Sequence, residues 1–144
     1  MATFKSQQVA NNMPIPSHGM ASGTKSAHFQ IALGATTAGD VIQLGYLPDY
    51  AVPVEVMVHH TAAITALTVG TTAAPAGLMA SAAVAANTPL RTASAPELFK
   101  NVGLGQRLVT ATVGGSGGTA GTLNVLVQYV VEDQGVGYPF TAAA

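Results

Sequence analysis

Ser116, His59, His60 and Glu55 are the residues of this 144-residue chain whose types could carry a reaction. Ser116 is the centre of Gly114-Gly115-Ser116-Gly117-Gly118, a match to Gly-x-Ser-x-Gly. In hydrolases that pattern sets the serine on a sharp turn from a strand into a helix. Here apolar alternation flanks the run on both sides, which predicts a long glycine-rich hairpin connection over 114–121 instead. A phosphate cradle would need Lys and Ser or Thr behind the last glycine, and Gly118 is followed by Thr119-Ala120-Gly121. Neighbouring strand residues face opposite ways, so His59 and His60 cannot both aim at one metal ion from a regular strand. Glu55 shares a strand face with His59, but an acid–base pair without a third group is not a triad. With no cysteine, thiol chemistry and disulfides are excluded. The six acidic residues are dispersed and form no carboxylate pair of defined spacing. No catalytic residue, cofactor or metal ligand is assigned. A small hydrolase using Ser116 with His59 or His60 stands as a third reading, which labelling by a serine-directed probe would revive.

The elements that would position these residues are strands. Phe29, Ile31 and Leu33 alternate with His28, Gln30 and Ala32. After a turn at Ala35–Asp40, Ile42 and Leu44 share a face, and Pro48-Asp49 marks a corner. Val52, Val54, Val56 and Val58 then alternate with Pro53, Glu55, Met57 and His59, which predicts a valine-lined inner face. A further strand covers Thr65–Thr71 with Leu67 and Val69 inward, another Arg107–Val113, and the last Thr122–Glu132 with Leu123, Val125, Val127, Tyr129 and Val131 inward. Residues 73–105 are less regular. Ser94-Ala95-Pro96-Glu97 has capping-box spacing, which predicts a helix of one or two turns through Leu98, Phe99 and Val102, stopped at Gly103. The expected fold is all-β: an antiparallel β-sandwich or jelly roll with at most one or two short helices. Residues 1–26, punctuated by Pro14, Pro16, Gly19 and Gly23, read as an extended N-terminal arm, either frayed or laid on a neighbouring subunit. Residues 27–133 form the sandwich, and 134–144 an irregular tail.

Composition narrows the class of function. Charged residues are 8% of the chain and hydrophobic ones 49%, with a net charge of −1. An ordinary soluble domain is about 25% charged. A surface this poor in charge is either dressed in Thr, Ser, Asn and Gln or covered by partners, since interface cores are depleted of charge. Lys5, Lys25, Arg91, Lys100 and Arg107 are scattered, so no stripe exists to neutralise nucleic-acid phosphates. No apolar stretch is long enough to span a membrane as a helix, and residues 1–8 lack the apolar core of a signal peptide. Few aromatics stand ready as binding platforms: Tyr46, Tyr50 and Tyr138. The composition favours a structural protein that works by contact, not an enzyme. Phe4, Pro14, Pro16, Met57, His59, Tyr138 and Phe140 are its candidate interface residues.

Several segments also resemble a known family. Ala38-Gly39-Asp40-Val41-Ile42-Gln43-Leu44-Gly45-Tyr46-Leu47-Pro48, the valine-rich strand after it, Leu67-Thr68-Val69-Gly70-Thr71, and Gly117 to Tyr129 follow the order found in small head decoration, or cement, proteins of tailed bacteriophages. The likeness runs over roughly residues 27–132. It implies a jelly-roll-like sandwich made in the host cytoplasm and bound on the outer surface of a virion capsid. Its partners would be the major capsid protein and itself, as a dimer or trimer, with no catalytic residue to transfer. The runner-up readings are a receptor- or glycan-binding β module of a virion fibre and another head or tail component.

Overall fold

The computed structural model describes residues 1–10, 24–92 and 95–131. Nine strands form two sheets: β1 (Thr3–Lys5), β2 (Lys25–Leu33), β3 (Val41–Leu47), β4 (Ala51–His60), β5 (Ile64–Thr71), β6 (Met79–Val84), β7 (Leu90–Arg91), β8 (Arg107–Gly118) and β9 (Gly121–Val131). A single helical turn, α1 (Gln7–Ala10), follows β1. The sheet orders are β1-β3-β8-β5-β6 and β2-β9-β4-β7. All pairings are antiparallel except β1 with β3. With β1 set aside, the orders 3-8-5-6 and 2-9-4-7 are those of a jelly roll, the double-sheet answer to the edge problem.

The two-residue period builds the core. On β9, Leu123, Val125, Val127, Tyr129 and Val131 are all buried, and on β2 so are Ala27, Phe29, Ile31 and Leu33. They meet Ile42, Leu44, Leu67, Val69, Val109, Ala111 and Val113 of the facing sheet in one cluster. β4 departs from the simple alternation. Its pairing with β9 shifts between Pro53 and Glu55, so Val54 is an extra residue that flips the parity. Before the bulge Ala51 and Pro53 oppose the inward Val131 and Tyr129; after it Val56, Val58 and His60 point inward. The expected four-valine inner face therefore holds only for Val56 and Val58: Val52 is buried on the opposite face and Val54 is half-buried.

Two further expectations are corrected. The glycine-rich run is not a hairpin loop. β8 extends through Gly118, and residues 119–120 carry the chain to β9 in the other sheet. The predicted helix after residue 94 is absent among the described residues, where 96–99 form turns. The Glu97 N–H donates to Gly77 O (2.8 Å) and the Phe99 N–H to Pro53 O (2.7 Å), long-range bonds that replace a helical ladder. Ser94, the expected cap, lies outside the described residues.

Candidate functional site

The face of β2-β9-β4-β7 turned away from the core carries two of the sequence-derived interface residues. Register aligns it in rows. His28, Leu126, Met57 and Arg91 cross all four strands; Gln30, Asn124 and His59 form the next row, and Ser26, Gln128 and Glu55 the row on the other side. His28 and Gln30 are exposed, while Met57, His59, Asn124 and Leu126 are half-buried. Asn124 Oδ1 accepts from His28 Nε2 (2.9 Å) and Gln30 Nε2 (3.0 Å), which fixes three side chains in one network. Arg91 Nε lies 3.2 Å from Glu55 Oε1, so the two formal charges on these rows cancel. The result is a net-neutral surface of hydrogen-bonding groups around an apolar centre. It can bind a protein by contact and offers no nucleophile–base pair.

Of the other interface candidates, Phe4 lies on β1, half-buried and packed against the chain's own core. Pro14, Pro16, Tyr138 and Phe140 lie outside the described residues. β1 is held by its own sheet. The Val41 N–H donates to Ala2 O (2.9 Å) and the Ser6 N–H to Gln43 O (2.8 Å), and the Ser6 hydroxyl donates to Leu44 O. Asp40 clamps the same segment. Its carboxylate accepts from the N–H groups of Thr37 (2.9 Å) and Ala2 (2.8 Å), and these two bonds, Thr37's first, hold its pKa below the usual carboxylate value. In the sequence Asp40 reads only as the end of the turn Ala35–Asp40.

The residues considered for catalysis are dispersed. Ser116 sits in a bulge of β8, where the pairing with β5 moves from Ile64–Gly118 to Ala66–Gly114. Thr65 staples the bulge: its Oγ1 accepts the Ser116 N–H (2.9 Å) and donates to Gly117 O (3.0 Å). Gly117 has φ +89°, and a Cβ there would lie 2.1 Å from Thr36 O, so the bend needs glycine. A strand follows, not the helix of a nucleophile elbow. His60 is fully buried with Nδ1 2.6 Å from Ala62 O, and its Nε2 has no partner. His59 is on the opposite face of β4. Tyr129 is buried in the core with its hydroxyl unpartnered, and burial raises its pKa. Among the described residues no three of His, Asp and Glu gather as a metal site.

Two large apolar side chains also stand exposed, which the sequence pattern does not mark. Phe99 (74% exposed) and Leu104 (73%) project from the segment between β7 and β8. Phe99 holds φ +62°, an uncommon conformation for a bulky residue, through its bond to Pro53. An open cleft of about 720 Å³ lies alongside, lined in part by Tyr46, Leu47, Pro53, Leu78, Val102 and Arg107.

Fold and surface together define a two-sheet jelly-roll protein. Two solved structures that it is similar to come from phage capsids. A chain from the capsid of Ralstonia phage GP4 superposes with a TM-score of 0.78 at 25% identity, over 92% of this chain and 99% of that one. A chain from the capsid asymmetric unit of cyanophage Pam1 gives 0.52 at 21% identity, over 83% and 93%, a likeness of fold. No family profile and no curated protein matches the sequence. The neighbours support a structural, phage-capsid-related protein and point away from an enzyme.

Proposed function

We propose that this protein decorates the outer surface of a phage capsid and stabilises it by bridging neighbouring major capsid subunits, with self-association as part of the arrangement. The observation that carries this reading is the jelly roll's likeness, across nearly the whole of both chains, to a chain from a phage capsid. The net-neutral outer face of β2-β9-β4-β7, with Met57 and His59 in it, supports the contact role. Pro14, Pro16, Tyr138 and Phe140 are proposed as further contacts outside the sandwich. A ligand that binds the assembled shell better than free subunits stabilises the shell by mass action. With so little charge available, affinity would come from apolar packing and backbone hydrogen bonds, and would survive salt that screens an electrostatic adhesive.

The test is to add the purified protein to shells that lack it. Co-sedimentation that persists at 1 M salt (a Debye length of about 3 Å) and a higher disruption temperature of the shell are expected. Shells that bind none of it, or bind it without gaining stability, would end the proposal.

A further inference from the structure

The edges of the two sheets are unlike. One sheet ends in β1, three residues long, and in β6, whose pairing to β5 is broken by two register shifts. The other ends in β7, two residues long, and in β2. β2 has nine residues, pairs with β9 without a register shift, and contains no proline and no acidic residue. Its one charge, Lys25, is at its first position. Among the described residues no backbone hydrogen bond reaches its far side. Natural sheets blunt their edges by shortness, charge, proline or bulges, because a long regular edge templates pairing with another chain. β1, β6 and β7 are short or irregular; β2 carries none of these protections beyond the single Lys25 at its first position.

We infer that β2 is where a second copy of this chain pairs, antiparallel and edge to edge about a two-fold axis, joining two four-stranded sheets into one. The strand is suited to itself. A two-fold centred on Phe29, the middle residue of Lys25–Leu33, sets His28 opposite the partner's Gln30 and Ser26 opposite the partner's Ala32, on the face where all four residue types are exposed. Neutral hydrogen-bonding groups then meet each other. The two Lys25 residues fall at opposite ends of the paired ladder, each across from the partner's Leu33. On the inner face the buried row Ala27, Phe29, Ile31 and Leu33 of one copy continues into the same row of the next.

The register makes a charge swap decisive. The double variant H28K/Q30K sets lysine against lysine at two places across the axis, and H28K/Q30E sets lysine against glutamate at both. Sedimentation velocity of the full chain over a range of concentrations should show a reversible dimer for the wild type. H28K/Q30K should dissociate, and H28K/Q30E should dimerise with a dissociation constant roughly tenfold below that of H28K/Q30K. Both positions are exposed, and unchanged circular dichroism and melting would confirm that the variants fold. A wild type that stays monomeric or forms a trimer overturns the inference, as does equal dissociation of the two variants. The measurement is made without capsids, so its outcome is separate from that of the decoration test.

Discussion

On the sheet β2-β9-β4-β7 the residues turned away from the core include His28, Gln30, Asn124, Gln128, Glu55 and Met57. On the other sheet the same positions are Thr68, Thr112, Thr110, Ala66, Gly114 and Gly70. The inner faces are built alike, from valine, leucine and isoleucine, but the outer faces have been put to different uses. Small side chains let backbone approach. The turn after β5 folds back over Gly70, with the Thr71 N–H donating to Ala74 O (3.0 Å), and Thr110 opposite Gly70 is buried. The other sheet carries longer polar side chains at these positions. One outer face is occupied by the chain's own loop, and among the described residues no loop folds back over the other in that way.

The contrast between shared inner and divergent outer faces can be tested within β9. Leu123→Ala removes a fully buried side chain from the core and should cost about 3 kcal/mol. Leu126→Ala, on the outer face, should cost less than about 1 kcal/mol. Urea unfolding of both variants measures the gap; equal losses would mean that the outer face is as closed as the core. The next effect separates the two outer faces. A Cβ at Gly70 would lie 2.0 Å from Ala74 O and 2.5 Å from the Pro75 carbonyl carbon, so Gly70→Ala should destabilise by about 2 kcal/mol as the turn is pushed off. Gln128→Ala on the other outer face should stay within about 0.5 kcal/mol. A neutral Gly70→Ala would show that the turn is not seated on the sheet.

What the sequence could reveal follows the same division. β9 and β2 were legible because apolar and polar residues alternate along them without interruption. The bulge at Val54 was not, since valine stands on both sides of it and the pattern carries no mark of the flip. β6 was missed because Ala80-Ser81-Ala82-Ala83 offers no contrast between faces. The glycine run looked like a loop because glycine favours turns, whereas pairing to β5 and the Thr65 hydroxyl make it a bulged strand. The spacing around Glu97 suggested a helix, but long-range bonds to Gly77 and Pro53 took the N–H groups. Within the candidate site, alternation alone placed Met57 and His59 outward. Their neighbours His28, Leu126 and Asn124 come from other strands, and only the register brings them together.

The smallest effect concerns the edge of the five-stranded sheet formed by β1, the counterpart of the edge at β2. There β1 covers β3, and Asp40 ties it down through the Ala2 N–H. Because the Thr37 and Ala2 amides bond the ionised carboxylate, the folded-state pKa lies below the ordinary value of 3.8. Folding therefore favours the charged form. The stabilisation is fully present above 3.8 and is lost as pH falls from there through the depressed folded-state value. Asp40→Asn should lower the melting temperature slightly at neutral pH and free the amides of 2–6 to exchange with solvent. The difference from wild type should shrink once the pH drops below that window, because protonated Asp40 has then lost the same charge. A difference that stays constant from pH 7 to pH 2 would show that the carboxylate's charge has no part in holding β1. Rapid exchange of those amides in the wild type would show that β1 leaves this edge open.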